Sequence, residues 1–158
     1  MKEIRLNKER VALVDDDNYE WLNQWKWSWK PDRHGGYATR IESRPVRRLI
    51  SMSRLIMGEP EGLEVDHINQ DKLDNRKENL RVCTTLENSR NKSITKSNKT
   101  GYKGVSEYPR YNCYRARISI DGKDRFLGYF DEIKDAAREY DKKAKELFGE
   151  FAVLNFQE

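Results

Sequence analysis

The sequence predicts an α+β protein that folds as two small lobes. Charged residues make up 37% of the 158-residue chain and hydrophobic residues 36%. A short chain of that polarity cannot bury one large core, so two small cores are expected. Most apolar residues fall in short runs or alternations, which favour strands, whereas residues 133–148 place them at helical spacing. Cys83 and Cys113 are far apart in the sequence and predict neither a disulfide framework nor a zinc finger.

The first 57 residues predict a β-rich segment with short helical pieces. The predicted strands are residues 11–14, 25–29, 37–41 and 46–52. Three aspartates at 15–17 offer a helix cap, and residues 53–57 predict a further helical turn. Gly35-Gly36 supplies a turn between two strands, and the neighbouring His34 is interpreted as a turn residue rather than a catalyst.

All four tryptophans lie between positions 21 and 29. One interpretation is that they stack on nucleic-acid bases. Buried aromatic side chains dominate small cores, however, and this part of the chain has few other large apolar residues. The favoured interpretation is therefore that the tryptophans form the core of the N-terminal lobe.

The middle of the chain predicts a strand, a loop, a second strand and a helix. Residues 63–65 and 79–82 are strand-like, and residues 71–77 between them are polar and rich in turn formers. Thr84 or Thr85 can cap the helix that follows. The order of these elements places several polar side chains close to one hairpin.

The same segment carries the residue types that phosphodiester hydrolysis needs. The reaction requires a base that deprotonates water and a cation that stabilises the charge developing on the phosphate. His67 suits the first role, because a histidine side chain titrates near neutrality. The side-chain oxygens of Asp66 and of Asn88 or Asn91 suit a hard cation such as Mg²⁺. Asp66 and His67 can reach one phosphate only if their strand ends or bends there.

The stretch VDHINQDKLDNRKENLRVCTTLENSRNK resembles the HNH family of ββα-metal nucleases, and in particular its phage and intron-encoded homing branch. The order Asp-His, Asn, Asn matches, with 12 residues from His67 to Asn79 and 9 from Asn79 to Asn88. The resemblance implies that His67 is the general base and that Asn79 holds its loop in place. It also implies that Asp66 and Asn88 bind Mg²⁺ or Mn²⁺. Asn91 is the alternative ligand, although the family spacing favours Asn88.

One departure from the family lies before this motif, in the segment MSRLI. Relatives often carry histidine at the position of Ser53, and the chain has only two histidines. A second basic group near the scissile phosphate therefore has no evident residue here. The alternative interpretation of the motif is a polar hairpin whose Asp and Asn side chains only cap turns. The order and spacing of the whole set favour the nuclease.

Positive charge is concentrated in the C-terminal part of the chain. Residues 1–87 carry 16 basic and 16 acidic residues, whereas residues 88–129 carry 10 basic and 3 acidic, a net of +7. Residues 130–158 carry 5 basic and 8 acidic, a net of −3. Such a split predicts one surface that faces the phosphates of a nucleic acid.

After a polar linker at 93–100, the sequence predicts three antiparallel strands packed on one helix. The first strand begins within residues 102–105, and the other two are residues 113–120 and 125–130. Asp121-Gly122 makes a hairpin turn between the latter two. Asp131 is expected to cap the helix. Alternation in the second strand puts Arg115 and Arg117 on the face opposite the apolar residues.

Residues 98–156 resemble the Apetala/ethylene-response-factor DNA-binding domain, which is also found fused to phage HNH nucleases. The motifs are GYKGV, YRARI, FLGYF, AAREYD and LNF. The resemblance implies that the sheet lies in the major groove of double-stranded DNA. The implied contact residues are Lys103, Ser106, Tyr108, Arg110, Tyr114, Arg115, Arg117, Lys123 and Arg125. The family often has Arg in place of Ser106 and Trp in place of Phe126, so its base preference does not transfer.

Together these features predict a sequence-directed, metal-dependent DNA endonuclease, associated with a phage or an intron. The predicted domains are a nuclease domain at 1–92 with its ββα-metal core at 63–92, the linker, and a DNA-binding domain at 101–158. The alternatives are a DNA-binding regulator with a decayed nuclease lobe, and an HNH nuclease of restriction or phage DNA processing. No protein partner, membrane span or signal peptide is implied. The chain is expected to act in the cytoplasm as a monomer, with a dimer as the alternative.

Overall fold

The computed structural model describes residues 1–33, 35–91, 94 and 97–156. These residues form ten strands, which pair into four small antiparallel sheets, and four α-helices. The predicted combination of small antiparallel sheets with few helices is confirmed. His34 and four residues at and near the predicted linker, Lys92, Ser93, Thr95 and Lys96, lie outside the described residues.

The chain divides into two compact units, Met1–Thr85 and Leu86–Glu158. The elements of the first unit are β1 (Lys2–Arg5), β2 (Val11–Val14), α1 (Asp16–Asn23), β3 (Ser28–Asp32), β4 (Gly35–Glu42), β5 (Arg48–Ser51), α2 (Met52–Ile56), β6 (Glu64–His67) and β7 (Leu80–Cys83). Helix α3 (Thr85–Arg90) begins at the boundary between the units. The functional boundaries at residues 92 and 101 stay a prediction.

One hydrophobic core holds the first unit together. Strand β1 pairs with β2, and β3, β4 and β5 form a three-stranded sheet in that order. The first hairpin contributes Ile4 and Val14, α1 contributes Leu22, and α2 contributes Met52, all of them at most 2% exposed. Strand β1, with the sequence KEIR, is too short and too polar to be recognised by alternation, and the sequence had not predicted it.

Three of the four tryptophans pack on this core, as the sequence favoured. Trp27 is 4% exposed and its Nε1 donates to the backbone oxygen of Leu22 at 2.8 Å. Trp25 and Trp29 are partly buried against the same cluster, whereas Trp21 is 39% exposed. Because Trp27 is tied to the end of α1, β3 begins only at Ser28. The predicted strand over residues 25–29 is thus wrong in its first half.

The second unit consists of a three-stranded sheet covered by one long helix. Its elements are β8 (Val105–Tyr108), β9 (Cys113–Ile120), β10 (Lys123–Phe130) and α4 (Ile133–Phe148). The sheet order is β10-β9-β8, and Ala116 and Ile118 of β9 are buried against α4. Glu132, not Asp131, directly precedes α4, and no side chain caps it. None of the described helices is both long and apolar enough to cross a membrane.

Pairing across the sheet decides which side chains share its outer face, the face turned away from α4. Ser106 pairs with Arg115, and Tyr129 also pairs with Arg115, so these three side chains lie on one face. Lys123 pairs with Ile120, and Arg125 pairs with Ile118, which places both basic residues on the helix side of the sheet.

Candidate active site

The hairpin of β6 and β7 carries the two residues on which hydrolysis was predicted to depend. Asp66 pairs with Arg81, and His67, the last residue of β6, pairs with Leu80. Asp66 is 6% exposed and His67 is 4% exposed. The strand therefore ends at His67, as the chemistry required, and Ile68 beyond it is 43% exposed.

The loop between the two strands is folded by its own polar side chains. Asn79 Oδ1 accepts a hydrogen bond from the backbone N–H of Asn69 at 2.9 Å, and Asn79 Nδ2 donates to the backbone oxygen of Asp74 at 2.8 Å. The backbone N–H of Ile68 donates to the oxygen of Asn79 at 2.9 Å. Asn79, which is 6% exposed, thus joins the start and the end of the loop that follows His67.

Asp74 is the charged centre of this loop. Its two carboxylate oxygens accept hydrogen bonds from Arg76 Nε at 2.8 Å and Nη2 at 2.7 Å, and Asn69 Nδ2 donates to Oδ2 at 2.9 Å. The Arg76 guanidinium lowers the pKa of Asp74, against the opposing effect of burial. Asp74 is 2% exposed, so this ion pair stiffens the loop from inside.

The first hairpin of the chain anchors the loop through backbone hydrogen bonds. Leu13 N–H donates to the oxygen of Leu73, and Asn75 N–H donates to the oxygen of Leu13, both at 2.8 Å. The Asp15 carboxylate, expected to cap α1, instead accepts from the N–H of Lys77 at 2.8 Å. The N-terminal strands therefore position the candidate site.

His67 is buried beside an aromatic ring and a polar amide. Its ring centroid lies 6.3 Å from that of Tyr37, and its Nε2 lies 3.3 Å from Asn75 Oδ1. Burial lowers the pKa of His67, although Asn75 and nearby carboxylates oppose the effect. A lowered pKa keeps the imidazole neutral, and a neutral imidazole is the form that can accept a proton.

Asp66 is held by an arginine from the neighbouring strand. Arg81 Nε and Nη2 donate to the same oxygen, Asp66 Oδ2, at 3.0 and 2.7 Å. The two side chains are 10% and 7% exposed, so the ion pair is largely removed from water. The ion pair holds the Asp66 carboxylate against Arg81, the residue directly opposite it in the β6–β7 ladder.

The donor chemistry of the predicted ligands fits a hard divalent cation. A carboxylate has about four lone-pair positions, so Asp66 can accept from Arg81 and still bind a cation. The amide oxygens of Asn88 and Asn91 are also ligands that Mg²⁺ takes. Among the described residues, no three His, Cys, Asp or Glu side chains cluster closely enough to hold a metal.

The structure brings Asp66, His67 and Asn79 together within the first unit. Asn88 is half-buried within α3 and Asn91, which follows α3, is 7% exposed; both belong to the second unit. Ser53 is 3% exposed and its hydroxyl lies 3.0 Å from that of Ser51. A buried serine in this position is a packing residue and supplies no basic group.

The outer face of the β8–β10 sheet combines aromatic and basic side chains. The ring of Tyr108 lies 5.0 Å from that of Tyr129, which lies 4.9 Å from that of Phe126. Arg115 lies over the Tyr108 ring at 5.5 Å. Phe126, Tyr129 and Tyr111 are 56%, 50% and 65% exposed. Aromatic rings interleaved with arginine on one face are typical of a nucleic-acid surface.

The nine predicted DNA contacts fall in different places on the second unit. Ser106, Tyr108, Arg115 and Arg117 share the outer face, and Arg110 lies over the Tyr111 ring in the 3-10 turn Pro109–Tyr111. Tyr114, Lys123 and Arg125 belong to the helix side by their pairing. Lys103 is half-buried, donates from Nζ to the oxygen of Arg90 at 2.8 Å, and has its pKa lowered by burial to about 8.

Sequence reasoning missed two residues of the candidate site and part of the outer face. Asn75 and Arg81 contact His67 and Asp66, yet each stands in a stretch that reads only as polar loop or strand. Tyr129 and Tyr111 join the aromatic cluster through strand pairing and a turn. Arg81 faces the same side of the hairpin as Asp66 because the two residues pair directly across the strands.

Comparisons with known proteins place this chain in a family. A model described as "HNH endonuclease" matches residues 55–90. The Uncharacterized HNH endonuclease L560 of Acanthamoeba polyphaga mimivirus is 34% identical over 151 residues, which is 94% of this chain and 76% of that protein. Protein 3.8 of Escherichia phage T7 is 33% identical over 93 residues, 59% of this chain and 76% of that protein. The chain belongs to the HNH endonuclease family.

Proposed function

We propose that this protein is a sequence-directed, divalent-metal-dependent DNA endonuclease. The observation that carries the proposal is that a buried carboxylate and a buried imidazole, Asp66 and His67, are adjacent at the end of β6, inside the segment that matches the HNH family. The viral and phage relatives support a nuclease of phage or viral type, and the homing role is part of the proposal.

The predicted catalytic residues have distinct parts in hydrolysis. His67 takes a proton from a water molecule while the water oxygen bonds to phosphorus and the bond from phosphorus to the leaving oxygen breaks. Asn79 keeps His67 in place through its two hydrogen bonds across the loop. Mg²⁺ or Mn²⁺, held by Asp66 and Asn88, would stabilise the negative charge of the phosphate and the leaving oxygen.

Residues 101–158 are the proposed DNA-binding domain, of the Apetala/ethylene-response-factor type. The net charge of +7 over residues 88–129 and the outer face with its arginines and exposed rings support this role. The residues proposed to contact a duplex are the outer-face members of the predicted set, Ser106, Tyr108, Arg115 and Arg117. Joining this domain to the nuclease raises the effective concentration of the cutting site near its target.

The test is a side-by-side nicking and gel-shift assay of wild type and His67→Ala. A general base acts only as water attacks, so its loss should reduce cleavage by roughly 10²–10⁴-fold and leave DNA affinity nearly unchanged. Cleavage should require Mg²⁺ or Mn²⁺ and stop in EDTA. Because the target is unknown, the first substrate to try is the DNA that flanks the protein's own gene.

Three outcomes would contradict parts of this proposal. Cleavage by His67→Ala at the wild-type rate would remove His67 as the base. Undiminished cleavage in chelator would remove the metal. Specific DNA binding by a wild type that never cuts would favour a DNA-binding regulator with a decayed nuclease lobe.

A further inference from the structure

Asn75 is among the most deeply buried polar side chains described, with 1% of its surface exposed. Its backbone N–H donates to the oxygen of Leu13 at 2.8 Å, within a short parallel bridge between β2 and the loop. A buried amide held at this point by its backbone has little freedom to move. Its side-chain contacts therefore describe a fixed arrangement.

The orientation of the Asn75 amide follows from its two neighbours. Asn75 Nδ2 donates to the backbone oxygen of Leu73 at 3.1 Å, and Asn75 Oδ1 faces His67 Nε2 at 3.3 Å. A carbonyl oxygen can only accept a hydrogen bond, so the reversed amide would set two oxygens against each other at Leu73. The carbonyl end of the amide must therefore point at His67.

This orientation determines where His67 carries its proton. Asn75 Oδ1 also can only accept, so Nε2 of His67 has to be the donor in the bond that joins them. In a neutral imidazole one nitrogen carries a hydrogen and the other carries a lone pair. The hydrogen on Nε2 thus leaves the lone pair on Nδ1.

We propose that Asn75 is a positioning residue that holds His67 in the Nε2–H tautomer, so that Nδ1 is the atom that takes the proton from water. The inference rests on the proposed function for the role of Nδ1, whereas the tautomer itself does not depend on that function. After the transfer, both ring nitrogens carry hydrogen, and Nε2 continues to donate to the Asn75 oxygen. Asn75 therefore supports the ring before and after the step.

The tautomer can be observed directly by ¹⁵N NMR of the histidine rings. The chain has two histidines, so His34→Gln leaves the His67 ring as the single one to observe. In the full-length protein without metal or DNA, the neutral ring should show a donor-type Nε2 and an acceptor-type Nδ1. A neutral ring with its hydrogen on Nδ1 would overturn the proposal.

Two variants separate the effect on the ring from an effect on folding. Asn75→Leu removes the acceptor, so the Nδ1–H form should become detectable and cleavage should fall by about 10–100-fold, as for other residues that orient a functional histidine. Asn75→Asp keeps an acceptor opposite Nε2 but loses the donor to Leu73. It should retain the Nε2–H tautomer and cut faster than Asn75→Leu.

A purely structural Asn75 gives the opposite ranking. If its function were only to tie the loop to Leu73, Asn75→Asp would be at least as damaging as Asn75→Leu, and the tautomer would be the same in every folded variant. That result would overturn the proposal. Asn18→Leu is the matched control, since Asn18 is a buried asparagine of α1 whose Nδ2 has no hydrogen-bond partner among the described residues. It should change neither the tautomer nor cleavage.

The two readouts also distinguish failure of this inference from failure of the proposed function. If the wild type does not cut DNA, the ring spectrum still reports whether Asn75 sets the tautomer. If the wild type cuts but Asn75→Leu cuts equally well with an unchanged ring spectrum, the nuclease assignment stands and the role of Asn75 is wrong.

Discussion

At the scale of single residues, the most consequential contact is the buried ion pair of Asp66 and Arg81. The two residues face each other on adjacent strands. Nε and Nη2 of Arg81 both donate to one carboxylate oxygen of Asp66. A buried ion pair adds little to stability compared with apolar residues that would fill the same space. Removing only one partner, however, leaves the other charge buried and unpaired. Arg81 therefore matters for stability as well as for the placement of a metal ligand.

We predict that Arg81→Leu destabilises the first unit by about 3–5 kcal/mol, because Asp66 would remain buried without its guanidinium partner. Tryptophan fluorescence during urea unfolding measures this unit alone, since all four tryptophans lie within it. Lys2→Met is the control: it removes the exposed ion pair with Glu20 and should cost about 1 kcal/mol or less. Equal losses in the two variants would show that burial does not set the effect.

At the scale of elements, the position of α4 depends on the loop that precedes β8. Asn155 Oδ1 accepts from the N–H of Lys103 at 2.6 Å, and Asn155 Nδ2 donates to Asp141 of α4 at 2.9 Å. Next to Lys103, Gly104 has a φ of +75° and lies directly against the Tyr140 ring of α4. A glycine is needed there both for its backbone conformation and for the close approach of the helix.

We predict that Gly104→Ala lowers the amide hydrogen-exchange protection of α4 far more than Gly101→Ala does. Both glycines have a φ of +75°, so alanine at either position costs about 1–2 kcal/mol in backbone conformation. Only at Gly104 would the new Cβ lie 2.0 Å from the Tyr140 ring and 2.7 Å from the Arg117 oxygen, which adds roughly 1–3 kcal/mol of overpacking. Amide hydrogen exchange of α4 is the measurement. Equal protection in both variants would contradict the packing argument.

At the scale of the whole molecule, charge is distributed unevenly along the chain. The basic excess of residues 88–129 includes Arg115 and Arg117 on the outer face, whereas residues 130–158, which include α4, have a net charge of −3. A duplex bound on the outer face would release counterions from its phosphates near these arginines. Residues 130–158, with their net negative charge, should contribute little to that release.

We predict that Arg115→Gln and Arg117→Gln each lower the slope of log affinity against log salt by about one. Arg138→Gln makes the same change of charge on α4, where Arg138 pairs with Asp135, and should leave the slope unchanged. Fluorescence anisotropy of full-length protein on labelled duplex, titrated over a range of salt, gives the three slopes. If Arg138→Gln lowered the slope as much as the outer-face variants, binding would depend on the net charge of the protein and not on the outer face.

The sequence by itself determined the local elements whose patterns repeat over several residues. Strand β9 matches the predicted 113–120, because its alternation of apolar and basic residues is long and regular. Helix α4 likewise ends at Phe148, followed by Gly149, because its apolar spacing is helical throughout. Asp66, His67 and Asn79 could be named from their order and spacing, because an HNH motif is compact in sequence.

Only the tertiary structure decided which distant residues meet at these elements. Asn75 contacts His67 because a backbone bridge to Leu13 pulls the loop into place, and no local pattern encodes that bridge. Strand register, not composition, places Lys123 and Arg125 on the helix side and gathers aromatic rings beside Arg115. The physical reason is that hydrogen-bond pairing and burial join residues far apart in sequence, whereas propensity and periodicity act only between neighbours.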